Sequence, residues 1–102
     1  MNSDEDLRQR CNRAIDLMIT SDSPLHENVN KVLEVFNNLS LDDTQEKNNR
    51  TIMRHFAKIN NVFKKYDNIT TYEDYRKISV DDLFSILLII RKMIDKLDLS
   101  DK

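Results

Sequence analysis

The sequence predicts an all-α bundle of four main helices with short connections, and three observations predict it. Glycine is absent and proline occurs once, at Pro24, so no glycine supplies the positive φ that tight hairpins use. Apolar residues recur with the 3.6-residue helical period in four separate stretches. Charged residues make up 33% and hydrophobic residues 39% of the 102, a balance suited to a small, heavily solvated helical bundle. A chain of this length builds one core, so residues 1–102 read as a single domain.

The first helix is expected to open at Ser3, with Asp6 three residues on completing a capping box. Asp4, Glu5 and Asp6 suit the positive end of its dipole. Its stripe is Leu7, Cys11, Ala14, Ile15, Met18 and Ile19, and the polar run Thr20 to Pro24 stops it. Ser23 then caps a second helix with Pro24 at its first position, where a missing N–H costs nothing. Leu25, Val29, Val32, Leu33, Phe36 and Leu39 form its apolar face, and Ser40 to Thr44 reads as the connection.

The third helix is predicted from about Asp43 to Tyr66, with Ile52, Phe56, Ile59, Phe63 and Tyr66 spaced by 4, 3, 4 and 3. Its opening TQEKNN carries no apolar residue, so those turns are expected to fray or project beyond the core. A polar and aromatic connection follows, Ile69 to Ile78, in which Thr71 to Asp74 caps one short extra turn near 71–77. Ser79 and Asp82 form the second capping box and start the fourth helix. Leu83, Ile86, Leu87, Ile90, Met93, Ile94 and Leu97 are its core face, and LSDK closes the chain.

The composition also limits function. Without glycine, a nucleotide-cradling loop or a dinucleotide fingerprint is not expected. No apolar stretch approaches the roughly 20 residues that span a bilayer. The opening MNSDEDLRQR is acidic where a secretory or mitochondrial leader is basic or apolar. One cysteine, Cys11, gives neither a disulfide nor a metal set, which points to a reducing, intracellular location, cytoplasmic or nuclear. No cofactor is implied. Cys11 reads as a small buried hydrophobe, and the paired carboxylates Asp42–Asp43 and Asp81–Asp82 are explained by helix starts. His26 and His55, on different helices, make no metal constellation.

Charge is unevenly placed. Residues 1–46 carry ten acidic and four basic side chains, whereas 47–66 carry six basic ones and no acid. At 100° per residue Lys47, Arg50, Arg54, Lys58 and Lys65 fall within about 80° of one another, making a basic ridge on the third helix. It reads either as a solvated face balanced by the acidic first half or as a docking surface for something acidic. A pI near 5.6 and few free aromatics argue against nucleic acid as that partner. The fourth helix has more apolar side chains than one core face requires: Phe84 and Leu88, with Ile89 beside them, lie off the Leu83–Leu87–Ile90–Ile94 face. Either this helix is covered on both sides within the bundle, or these residues line a groove for a partner or a second copy.

These surfaces, Phe84, Leu88 and Ile89 with Arg50, Arg54 and Lys58, suggest a non-enzymatic protein–protein interaction module, an adaptor or regulator. Three resemblances bear on that expectation. Arg50 to His55 resembles the arginine–four residues–histidine motif of HEPN-type helical ribonucleases. That likeness implies RNA cleavage with Arg50 stabilising charge and His55 moving protons. Ala57 to Tyr66 is similar to the final helix of GAT domains, three-helix bundles of membrane-traffic adaptors that bind ubiquitin or small GTPases. Val29–Leu39, Ile52–Ile59 and the fourth helix resemble in order the N-terminal bundle of transcription elongation factors, which implies docking of short acidic and aromatic motifs. A small viral or phage inhibitor of a nucleic-acid-binding enzyme is a further alternative, permitted by the Asn, Ile, Lys and Asp usage.

Overall fold

The computed structural model describes residues 3–41 and 44–99, and these form the expected all-α bundle. Helix α1 spans Ser3–Thr20, α2 Leu25–Glu34, α3 Glu46–Phe63 and α4 Val80–Lys96, with a 3₁₀ helix at Tyr72–Lys77. The caps expected of the Ser3 side chain and of the Asp42–Asp43 pair lie outside the described residues, as does the end of the LSDK tail.

Helix α4 is the common partner: α1, α2 and α3 all pack against it, while α1 also packs on α2 and the 3₁₀ helix on α2. Its inward side chains Leu83, Ile86, Ile90, Met93 and Ile94 join Leu7, Cys11, Ala14, Val29, Val32, Ile52 and Ile59 in one buried cluster. Ile78, in the stretch read as a connection, is buried with them. Ile19 departs from the expected stripe: it sits 74% exposed at the last turn of α1, past the end of the core. Burial pushes the Cys11 thiol up to about 12, so it is a core side chain and no thiolate at neutral pH.

Helix boundaries differ from the expectations for local reasons. Pro24, with ψ at 153°, is itself the cap residue, and α2 starts one residue later at Leu25. The Ser23 hydroxyl instead accepts a hydrogen bond from Lys31 Nζ at 2.6 Å. Helix α2 ends at Glu34, where the backbone tightens into i→i+3 bonds through Asn37, and Arg10 of α1 donates through Nη1 to the carbonyls of Val35 and Asn37 at 2.8 and 2.6 Å. Asn38 then takes φ of 58°, and Asn68 after α3 takes φ of 60°. Asparagine is the residue other than glycine that best tolerates this left-handed region, so a chain without glycine reverses direction on asparagines.

The start of α3 neither frays nor projects. Asn48 is fully buried; its Oδ1 accepts from the Asp98 N–H at 2.9 Å and its Nδ2 donates to the Asp98 carbonyl at 3.0 Å. At the other end, the Tyr66 hydroxyl accepts from the Ser79 N–H at 3.0 Å and donates to the Asp82 carboxylate. These two ties fix α3 and α4 antiparallel. Ser79 caps α4 as expected, accepting from the Asp82 N–H at 3.1 Å. The reciprocal half of the box is Tyr66, not Asp82.

Two carboxylates in this region titrate low. The Thr70 and Thr71 amides donate to Asp74 at 2.9 and 3.0 Å and hold it far below the usual carboxylate range, with Lys77 adding to them. The Tyr66 hydroxyl, then Lys65, hold Asp82 below that range as well. Depressed folded values mean that the stability these groups contribute is present above the ordinary carboxylate pKa of about 4 and is lost as pH falls below it. Tyr66→Phe is expected to move the Asp82 titration upward and to weaken the acid dependence of the thermal midpoint. Carboxyl NMR titration checks this; an unmoved Asp82 would remove Tyr66 as the cause.

Candidate interaction surface

Among the described residues, three of the five exposed large hydrophobic side chains lie on α4. Val80, Phe84 and Leu88 are 59%, 57% and 54% exposed, and they sit at i, i+4 and i+8, one above another on the helix. Helix α4 does lie centrally in the bundle, but its neighbours leave these three uncovered. Ile89 is different: it is half-buried and packs against the core, so it borders the stripe without belonging to it. Val80 was missed in the sequence because it precedes the apolar run; the signal was its position four residues before Phe84. The other exposed large apolars, Ile19 and Met53, stand on other helices and need no partner to explain them.

The basic ridge is exposed throughout, at Lys47, Arg50, Arg54, Lys58 and Lys65. Its opposite, buried face is centred on Asn48, Ile52, His55 and Ile59, rotated from the expected Phe56 and Phe63 seam. Those two rings are half-buried and turn to the other edge, Phe56 edge-on to Phe36 at 5.9 Å and Phe63 against Tyr75 at 5.6 Å. Past the end of α3, Lys65 reaches Asp82 Oδ1 at 3.2 Å. Counting along the antiparallel pair from the Asn48–Asp98 and Tyr66–Asp82 ties sets Lys58 level with Ile89 and Arg54 level with Met93. Both Lys58 and Arg54 are exposed at those levels. Arg50, eight residues and about 12 Å further along α3, lies beyond the stripe and level with Lys96. Arg91, Lys92 and Lys96 of α4 are also exposed toward that end of the helix, with Asp95 among them.

Arg50 and His55 do not meet. Arg50 is exposed, whereas His55 is 2% exposed, with Nδ1 donating to the Thr51 carbonyl at 2.7 Å and Nε2 buried without a partner. The two side chains therefore share no exposed face in this structure. His26 is likewise occupied, its Nε2 accepting from Arg76 Nε at 3.2 Å. Among the described residues no group of three or more His, Cys, Asp or Glu side chains is placed to hold a metal ion. A wide, open depression at the end of α3, where Asn60, Asn61, Lys64 and Tyr66 lie, has no carboxylate or imidazole in its lining. Among the described residues no helix is long and apolar enough to cross a membrane.

Compared with protein families, with curated proteins and with solved structures, the chain matches none. What can be said of function therefore comes from the surface itself.

Proposed function

We propose that this chain is a non-enzymatic protein–protein interaction module that docks a partner on the outer side of α3 and α4. The observation that carries the reading is the Val80–Phe84–Leu88 stripe, three large apolar side chains more than half exposed on one line of one helix. Burying a side chain of this kind is worth roughly 1.5–3 kcal/mol, and contiguous exposed apolar surface marks interaction sites. Phe84 and Leu88 are the apolar anchors, with Val80 extending them and Ile89 forming the floor at their edge. Lys58, Arg54 and Arg50, exposed along the α3 ridge, steer an acidic segment toward them. The partner that fits is an amphipathic helix with large apolar residues on one face and carboxylates beside them.

A fluorescein-labelled helical peptide with leucines on one face and glutamates on the others is the probe. Anisotropy is expected to report binding that weakens as salt rises, because exposed charges are screened beyond a Debye length of about 10 Å at 0.1 M. Phe84→Ser with Leu88→Ser is expected to weaken it at least about tenfold, and Arg54→Glu with Lys58→Glu to reduce its salt dependence. Both pairs are exposed, so folding is retained and circular dichroism verifies it. Equal affinity for the wild type and the Phe84/Leu88 variant would overturn the reading.

A further inference from the structure

Five residues of α4, Asp81, Phe84, Leu88, Arg91 and Asp95, are spaced by 3, 4, 3 and 4, and every one is exposed. At 100° per residue they fall within about 80° of one another. That spacing is how a helix presents a seam to a second helix at a shallow crossing angle. The inward residues Leu83, Ile86, Ile90 and Met93 occupy a separate face, so the molecule's own bundle leaves this seam unused.

Four of the five are arranged symmetrically about the level of Ile86. Phe84 lies two residues before it and Leu88 two after; Asp81 lies five before and Arg91 five after. Suppose a second copy is laid antiparallel across the seam, with a twofold axis at that level. Phe84 then meets the partner's Leu88, Asp81 meets the partner's Arg91, and the symmetry repeats both contacts. A parallel arrangement would instead set Asp81 against the partner's Asp81 and Arg91 against the partner's Arg91, like charge on like. An isologous interface must be self-complementary, and this one is so in shape class and in sign of charge. A foreign partner does not require an acid and a base equidistant from an apolar centre. Arg91 is available for such a contact, its partner in the chain being the exposed Asp95 one turn on, at 3.5 Å.

We infer that a second copy of this chain covers the α4 seam, the two α4 helices packing antiparallel in an isologous homodimer. The inference rests on the interaction reading above, and it adds self-occlusion: a foreign amphipathic segment must displace the second copy to reach Phe84 and Leu88. A single helix pair falls at the small end of stable interfaces, so monomer and dimer exchange with concentration.

Sedimentation equilibrium on the full chain from about 10 μM to about 1 mM tests it. The mass is expected to rise from the 12.1 kDa of one chain toward twice that value. Asp81→Arg alone and Arg91→Asp alone are each expected to weaken the dimer at least about tenfold. The two together are expected to return it to within about threefold of wild type. A monomer throughout the range would overturn the inference, and so would a double variant as weak as the single ones. Circular dichroism on each variant verifies folding, and Leu88→Glu, which leaves both charges in place, is expected to give a monomer as well. The labelled peptide separates the two proposals. Peptide bound by a chain that is always monomeric overturns only the dimer, whereas a dimer formed by a chain that binds no peptide in any variant overturns only the foreign-partner reading.

Discussion

Ile90→Ala is expected to lower the unfolding free energy by about 2–5 kcal/mol, through the lost transfer energy and the cavity left behind. Ile90 is fully buried on the one helix that α1, α2 and α3 all pack against. A gap there withdraws contacts from the centre of the cluster instead of from a rim that can collapse. A domain of this size is stable by about 5–15 kcal/mol, so one substitution removes a large share. Phe84→Ala, six residues earlier on the same helix, deletes a larger side chain that is 57% exposed. It is expected to change stability by no more than about 1 kcal/mol. Urea unfolding of both variants makes the comparison, with equal slopes ensuring that the midpoint shift reports stability. Equal losses would mean that α4 does not turn these two faces as described.

The same helix explains what the sequence made legible. Its inward and outward positions both recur at helical spacing, so Leu83, Ile86, Ile90 and Met93 could be told from Phe84 and Leu88 before any coordinates. Periodicity says that a residue faces a helix's apolar side. It does not say that a neighbour reaches that far. Ile19 follows the α1 period and is exposed because the core ends before the helix does. The helix ends resisted reading for a related reason. Arg10 takes up the carbonyl just past α2 from 25 residues away, and Tyr66 completes the α4 cap from 13 residues away. Neither partner is visible in a local motif.

The surface was legible in its parts and not in its arrangement. Counting charges found the ridge on α3, and counting apolar residues found the excess on α4. Whether the two adjoin depends on how α3 and α4 are turned toward each other, which counting along one chain does not give. Arg50 shows the consequence. It belongs to the ridge by angle, but by height along the helix it lies past the stripe, whereas Lys58 is level with Ile89. By angle alone His55 falls between the ridge and the core; its 2% exposure and its bond to Thr51 put it in the core.

Asn48→Asp is expected to be the most damaging single-atom exchange in the chain at neutral pH, costing about 3–5 kcal/mol. Asp98 offers one N–H and one carbonyl to a fully buried side chain, and only an amide in one orientation satisfies both. The substitution keeps the size and the acceptor but turns the donor into a carboxylate oxygen facing the Asp98 carbonyl. A bond becomes a repulsion, and a charge is buried without a cation. The sign with pH follows. The introduced carboxyl has a folded pKa raised above its unfolded value of about 4, so relative stability is greatest below that value and is lost as pH rises through the folded one. Protonated, the group can again donate to the Asp98 carbonyl, and the deficit against wild type is expected to shrink at pH 3. Asn48→Ala removes both bonds and adds no charge, so its deficit is expected to be about 1–3 kcal/mol and independent of pH. Taking each variant against wild type at the same pH cancels the acid sensitivity of Asp74 and Asp82, which all three share. Thermal unfolding at pH 7 and pH 3 reads both trends. An Asn48→Asp deficit that stays constant with pH would mean that Asp98 does not hold this side chain, and that α3 begins where it does for another reason.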